Sequence, residues 1–136
     1  MGRAEKEETA MLIEINFNSD EAIYSQLVDQ IIVGIATEEF RDGDALPSVR
    51  QLADMIGINM HTVNKAYAVL QQEGFVKIDR RRGAVIAVDI DKLRALKEAE
   101  DILKVVFART HCRGVTRDEV HELVDRIYGN YDERNG

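Results

Sequence analysis

The sequence predicts a mostly α-helical chain with one small β-hairpin, and three observations support this prediction. Apolar side chains recur at three- and four-residue intervals along most of the 136 residues, which is the spacing of amphipathic helices. Gly57 separates two short helical segments near the middle of the chain. Directly after Gly74 the apolar spacing changes from helical to strand-like, in two short runs at Phe75–Ile78 and Val85–Val88.

The chain begins with a polar segment and a first helix. Residues 1–10 have no apolar periodicity, so we expect a disordered or non-native extension there, ahead of a domain at 11–88. The apolar run Leu12–Phe17 predicts a short edge strand or an extended arm. Ser19 or Asp20 is the expected N-cap of the first helix. The apolar stripe of this helix consists of Ile23, Leu27, Ile31 and Ile35.

Two short helices and a turn follow. Ser48, directly after the only proline, predicts the N-cap of a second helix at Val49–Ile56. Asn59 predicts the N-cap of a third helix, which runs to about residue 73. Gly57 can adopt the left-handed conformation of the turn between them without a Cβ penalty. The side chains expected to pack this helix-turn-helix unit together are Leu52, Ala53, Ile56, Ile58, Val63 and Ala66.

A β-hairpin is predicted directly after the helix-turn-helix. The apolar residues of Phe75–Ile78 and Val85–Val88 lie on either side of the loop Asp79–Gly83. Lys77 and three consecutive arginines crowd this loop. A basic loop alone is usually a solvated turn, but after a helix-turn-helix it predicts the wing of a winged helix, directed at DNA phosphates or into a minor groove.

Residues 89–136 predict two further amphipathic helices. The first covers roughly Asp91–Arg109, and the second opens at Thr116–Glu119 with a capping-box pattern. Their apolar stripes exceed what one helical hairpin and a small winged domain can bury, so we expect a homodimer. The predicted interface residues are Leu93, Leu96, Leu103, Val106, Val120, Leu123, Val124, Ile127, Tyr128 and Tyr131.

Charge is unevenly distributed along the chain. The formal net charge of −7 argues against a wholly basic nucleic-acid binder. Residues 45–88, however, carry 6 basic and 3 acidic side chains, whereas residues 1–44 carry 3 basic and 11 acidic ones. Such a basic region in an acidic protein predicts a specific anionic partner, and double-stranded DNA fits the predicted fold.

The exposed face of the third helix is the predicted reading surface for DNA bases. Burial of Val63 and Ala66 turns the polar residues of its N-terminal half outward, where a recognition helix meets base edges. Asparagine can pair with adenine, and threonine or methionine methyl groups can contact the thymine methyl. The candidate DNA contacts are Arg50, Asn59, Met60, His61, Thr62, Asn64 and Lys65, together with Arg80, Arg81 and Arg82 on the wing.

The sequence contains no motif for catalysis, metal binding or membrane insertion. It has no Gly-rich phosphate loop, nucleophile elbow or HExxH pattern, so we do not expect an enzyme. His111, Cys112 and His121 do not have a zinc-binding spacing, and no metal or other cofactor is expected. The single cysteine fits a reducing cytoplasm, and no apolar run approaches the roughly 20 residues that span a bilayer.

The segment LPSVRQLADMIGINMHTVNKAYAVLQQEGFV, residues 46–76, resembles the GntR family of bacterial transcription regulators almost without gaps. The strings INFNSDEAIYSQLVDQI and NMHTVNKAY resemble its YtrA-type subfamily in particular. The resemblance implies a winged helix-turn-helix over Ala22–Val88, followed by a short two-helix dimerisation segment in place of a large effector domain. It also implies DNA contacts at Arg50, Asn59, Met60, His61, Thr62, Asn64, Arg82 and Gly83.

The function implied by this resemblance is the control of a transport operon, often by repression. Two copies of the chain on a twofold dimer should then read an inverted-repeat operator. Two departures limit the transfer of detail. Many relatives have arginine where Met60 and Asn64 stand, and the wing lacks the first glycine and the threonine of the usual Gly-x-Gly-Thr-Phe-Val. A small-molecule effector could bind at the dimer interface or between the domains, although no sequence feature specifies one.

A second class of function remains open, namely a winged-helix module for protein–protein assembly whose basic wing contacts an acidic partner. Binding to duplex DNA distinguishes the two classes. Tight, strongly salt-dependent binding with a sequence preference supports the regulator and excludes the assembly module.

Overall fold

The computed structural model describes residues 13–135, which form five helices and one antiparallel hairpin. The elements are α1 (Ile23–Ala36), α2 (Val49–Ile56), α3 (Met60–Gln72), β1 (Val76–Asp79), β2 (Gly83–Ile86), α4 (Lys92–Cys112) and α5 (Arg117–Asn135). The chain divides into two compact units between Asp89 and Ile90. The predicted fold class is confirmed, whereas the predicted extension at 1–10 lies outside the described residues.

The arm that precedes α1 forms no strand at residues 13–16 and turns at residues 17–21, while Leu12 lies outside the described residues. Its backbone bonds to two glutamine side chains of α1 instead. Gln26 Oε1 accepts a hydrogen bond from the Asn16 N–H at 2.9 Å, and Gln26 Nε2 donates to the Asn16 and Glu21 carbonyls at 3.0 Å. Gln30 pairs in the same way with both backbone groups of Glu14. The described part of this segment is therefore an arm rather than an edge strand, and it hydrogen-bonds both polar atoms of the buried Gln26 amide.

The start of α1 differs from the sequence prediction. Its N-cap residue is Ala22, which forms no side-chain cap. Ser19 belongs to a separate turn, where its N–H bonds to the Asn16 carbonyl at 3.3 Å and its Oγ accepts from the Glu21 N–H at 3.1 Å. The predicted cap at Ser19 or Asp20 is therefore wrong, because the local hydrogen-bonding capacity of Ser19 is used before the helix begins.

The segment that follows α1 turns back and packs against the C-terminal half of this helix at Gly34. The Gly34 carbonyl accepts hydrogen bonds from the N–H groups of Glu39 and Phe40, at 2.8 and 3.1 Å. This return of the chain lays the buried Phe40 ring directly on the helix surface at Gly34. A Cβ atom at position 34 would lie 2.6 Å from two carbons of that ring. Glycine is therefore required here by packing rather than by backbone conformation.

We expect Gly34→Ala to lower the free energy of unfolding by about 1–3 kcal/mol, the usual cost of overpacking a core. The steric penalty outweighs the roughly 0.5–1 kcal/mol that alanine gains over glycine inside a helix. Thermal and urea unfolding followed by circular dichroism measure the effect. Gly129→Ala is the matched control, since a Cβ at this helical position meets nothing within 4 Å, and it should be neutral or stabilising. Unchanged or raised stability of Gly34→Ala would contradict the packing argument.

The helix-turn-helix unit lies where the sequence predicts it. A capping box starts α2: Ser48 Oγ accepts from the Gln51 N–H at 3.1 Å, and Gln51 Oε1 accepts from the Ser48 N–H at 3.0 Å. Gly57 ends α2 with φ 72°, and Asn59 Oδ1 caps α3 by accepting from the His61 N–H at 2.7 Å. The core in which this unit packs against α1 contains Leu27, Ile31, Leu52, Ala53, Val63, Ala66 and Leu70, with Ile56 and Ile58 packed at its edge.

The predicted hairpin is confirmed, and it is tied to the segment that leads into α2. Strands β1 and β2 pair in antiparallel register. The Leu46 N–H donates to the Ala84 carbonyl and the Ile86 N–H donates to the Asp44 carbonyl, each at 2.8 Å. Through these bonds, residues 44–46 pair with β2 beside the two-stranded ladder. The pairing holds the hairpin next to the segment that leads into the helix-turn-helix.

The second unit consists of α4 and α5. Helix α4 continues to Cys112, beyond the Arg109 at which the sequence prediction ended it. The predicted capping box opens α5: Thr116 Oγ1 accepts from the Glu119 N–H at 3.2 Å, and Glu119 Oε1 accepts from the Thr116 N–H at 3.0 Å. The Thr116 N–H and hydroxyl both donate to the Glu119 carboxylate, and these two bonds hold the pKa of Glu119 below its ordinary value. Helix α4 buries none of its side chains, so its apolar stripe is open to solvent.

Candidate nucleic-acid interface

The N-terminal half of α3 presents a continuous polar face to solvent. Val63 and Ala66 are fully buried, which orients the intervening residues outward. The candidate side chains at positions 59–65 are exposed, except that of Thr62, which is half-buried. The structure therefore brings together the residues that the sequence singled out on this helix.

The two asparagines of this face are not equivalent. The Asn59 side-chain oxygen already accepts the N-cap hydrogen bond of α3. The Asn64 side chain is exposed and makes no hydrogen bond to any other part of the chain that the structure describes. Because bidentate pairing with adenine uses both the oxygen and the nitrogen of an amide, Asn64 is the better placed of the two for that contact.

Arg50 lies in the first turn of α2 and is exposed. The start of this helix is held against α3 by Tyr67, whose hydroxyl donates to the Pro47 carbonyl at 2.8 Å. Burial raises the pKa of Tyr67, so the phenol keeps the proton that it donates. This contact fixes the position of Arg50 relative to the exposed face of α3.

The wing loop is ordered by its own aspartate. Asp79 Oδ1 accepts hydrogen bonds from the backbone N–H groups of Arg81 and Arg82, at 2.7 and 3.1 Å. These bonds lower the pKa of Asp79 below its ordinary 3.8. The loop is therefore stabilised at neutral pH, and this contribution is lost only as the pH falls below 3.8 through the lowered value.

The three wing arginines have different surroundings. The Arg82 guanidinium donates to the Gly43 carbonyl, next to the backbone stretch that extends the hairpin. Arg80 and Arg81 are exposed, and neither side chain forms an ion pair or hydrogen bond with another described residue. Gly83 has φ 77°, a left-handed conformation that closes the loop into β2. The wing thus offers two free cations and one that also holds the loop.

Lys65 lies on the flank of the α3 face. Its ammonium sits 4.0 Å from the centre of the Tyr24 ring, a cation–π contact between α3 and the first turn of α1. No local pattern predicts this pair, because its members lie far apart along the chain. Lys65 remains a predicted DNA contact, now with a neighbour that fixes its position.

An open groove, which we call the wing groove, runs between the helix-turn-helix and the hairpin. Polar and charged side chains of both parts line it together with apolar ones. Its lining includes Ser48, Gln51, Asp54, Met55, Asn64, Ile78, Arg81 and Arg82. No local sequence pattern predicts that Asp54 of α2 lies in this groove beside the wing.

Other kinds of site find no support in the described part of the chain. Across residues 13–135, no three His, Cys, Asp or Glu side chains are grouped closely enough to hold a metal ion. Cys112 is exposed and unpaired. No described helix is both long enough and apolar enough to cross a membrane.

The arrangement of a helix-turn-helix, an exposed polar face on its second helix and an adjoining basic hairpin defines a winged helix-turn-helix protein. The chain belongs to the gntR family of bacterial regulatory proteins, whose family model matches residues 23–86. It is therefore a DNA-binding transcription regulator of this family rather than an enzyme, and the resemblance inferred from residues 46–76 is confirmed.

The similarity to YtrA-type members extends beyond the family model. The chain is 34% identical over 122 residues to the transcriptional repressor YtrA of Bacillus subtilis, covering 85% of this chain and 92% of that protein. YtrA from Sulfolobus acidocaldarius, a GntR-family transcription factor of known structure, is 40% identical, with a TM-score of 0.62 over 74% of this chain and 98% of that one. A transcriptional antiterminator from Listeria monocytogenes EGD-e is 31% identical, with a TM-score of 0.76 over 86% and 92%.

Proposed function

We propose that the chain is a homodimeric repressor that binds an inverted-repeat operator through the face of α3 and the wing. The observation that carries this proposal is the grouping of the exposed residues of α3 beside the arginines of the wing. In this proposal 11–88 is the DNA-binding domain and 89–136 is the dimerisation segment. Because its target is chromosomal DNA, the proposed place of action is the cytoplasm. A transport operon as the target rests on the resemblance to the YtrA type alone.

In this proposal, different residues read the bases and bind the phosphates. The formal charge of the chain at pH 7, with histidine counted as neutral, has no contribution from Met60, His61 or Asn64. These residues therefore add little to sequence-independent attraction and act through directed contacts to base edges. Arg50 combines charge with a planar fork that suits guanine or a phosphate. Two copies related by a twofold axis would then read two half-sites on one side of the duplex.

Selection of bound sequences from a random DNA pool tests this proposal, and we expect an inverted repeat to be enriched. Asn64→Ala or His61→Ala should reduce the preference for that repeat by about 1–3 kcal/mol per half-site, while binding to random DNA stays nearly unchanged. Arg50→Ala should weaken binding to both.

Gln72→Ala, in the last turn of α3 and exposed, is the matched control and should behave as the wild type. If the wild type enriches no motif, or a motif without inverted symmetry, the operator proposal fails. Failure to bind duplex DNA at all would favour a winged-helix module that assembles with an acidic protein.

A further inference from the structure

The wing groove contains one carboxylate among its lining residues. Asp54, on α2, lines the groove together with Arg81, Arg82 and Asn64. Every other lining residue is uncharged in its ordinary state at neutral pH. An acidic side chain lowers the attraction of a surface for phosphates, so phosphate binding does not explain the presence of Asp54.

The Asp54 carboxylate lies in a groove with two arginines but is not held by either of them. Its side chain is exposed, and across residues 13–135 it forms no ion pair and accepts no hydrogen bond. The acidic residue of the wing differs in this respect, because Asp79 accepts two backbone hydrogen bonds that order the loop. No comparable structural role accounts for Asp54.

A DNA strand would bring its phosphates close to this carboxylate. If the exposed face of α3 enters a major groove and the wing contacts the adjoining backbone, as in the proposed function, we expect that backbone to pass over the wing groove. An ionised carboxylate has no proton to donate, so it cannot hydrogen-bond to a phosphate oxygen and can only repel it. The repulsion is the same for every base sequence, because phosphates carry no sequence information.

We infer that Asp54 is an affinity-limiting residue of the DNA interface, whose unpaired carboxylate weakens binding to DNA of every sequence. This inference rests on the proposed DNA-binding function. As a consequence, the protein dissociates from operator and non-specific DNA more readily than it would without the negative charge of Asp54. The base preference is set elsewhere, by the residues of α3.

Asp54→Asn removes the charge and keeps the shape of the side chain. We expect it to tighten binding to a random-sequence duplex and to the selected inverted repeat by a similar factor, roughly fivefold for a dimer at low salt. The gain should shrink as salt rises from about 50 to 200 mM, because ions screen the repulsion that has been removed. Fluorescence anisotropy on both duplexes at several salt concentrations measures these effects.

Asp20→Asn is the matched control, since it changes the net charge equally at an exposed residue outside the wing groove. An equal gain from Asp20→Asn would attribute the effect to net charge and overturn the inference. A weaker preference at one base pair, without tighter binding to random DNA, would show instead that Asp54 accepts from a cytosine amino group. Specific binding by the wild type with no change in Asp54→Asn overturns this inference alone, whereas absence of specific binding by the wild type overturns the proposed function.

Discussion

Replacing Leu123 and Ile127 together by glutamate is expected to yield a monomer that binds the operator at least a hundredfold more weakly than the wild type. Both side chains are exposed on α5, at 43% and 41%. Fully burying such a side chain contributes about 1.5–3 kcal/mol, whereas a glutamate in the same interface must be desolvated without a partner. In a dimer, binding of one half-site raises the effective concentration of the second subunit at the other half-site. Loss of the dimer removes this effect, which raises the affinity by roughly 10²–10⁴.

The apolar surface of the second unit is the reason to expect this dimer. Leu93 and Leu96 of α4 are 82% and 67% exposed, and Tyr128 of α5 is 61% exposed. Such a row of large apolar residues on two consecutive helices is typical of an interface rather than of a monomer surface. A twofold pairing of the same surface is the commonest arrangement that covers it.

Light scattering and sedimentation measure the oligomeric state, and anisotropy measures operator binding. The matched control is Glu122→Ala combined with Asp125→Ala, two exposed residues of the same helix outside the predicted interface. This control should remain dimeric. A wild-type protein that is monomeric at micromolar concentration, or a glutamate variant that stays dimeric, would show that α5 does not form the interface.

Local signals in the sequence were enough to predict the helix-turn-helix. Ser48, Gly57 and Asn59 act on residues within one turn of themselves, so α2 and α3 begin and end where the sequence indicates. The start of α1 has no such signal, because its Ala22 N-cap offers no side-chain acceptor. The hydrogen bonds that hold the arm come from Gln26 and Gln30, two polar residues of α1 that hydrophobic periodicity does not identify.

The candidate interface was predictable to the extent that helical geometry determines it. Once Val63 and Ala66 are buried, the outward direction of their neighbours on α3 follows. Contacts between distant segments do not follow from any periodicity. The placement of Lys65 over the Tyr24 ring and of Asp54 in the wing groove therefore became visible only in the structure.

Replacing Arg80, Arg81 and Arg82 together by alanine is expected to weaken binding to every DNA sequence, by roughly a hundredfold or more at moderate salt. The slope of log K against log salt should become shallower by about one unit for each phosphate that the wing no longer neutralises. The operator-to-random ratio should change little, because the residues of α3 remain in place. The magnitude is large since a dimer carries two wings, and each wing loses all the arginines of its loop.

The three wing arginines are expected to contribute differently to DNA binding, because their surroundings differ. Arg80→Ala combined with Arg81→Ala removes cations that have no partner elsewhere in residues 13–135, so it should account for most of the change in slope. Arg82→Ala also removes the bond to the Gly43 carbonyl, so it should mobilise the loop as well as remove a charge. Lys97→Ala in α4, an exposed cation outside the wing, is the control and should leave the slope unchanged. Weaker binding confined to the selected operator, with an unchanged slope, would show that the wing reads bases rather than phosphates.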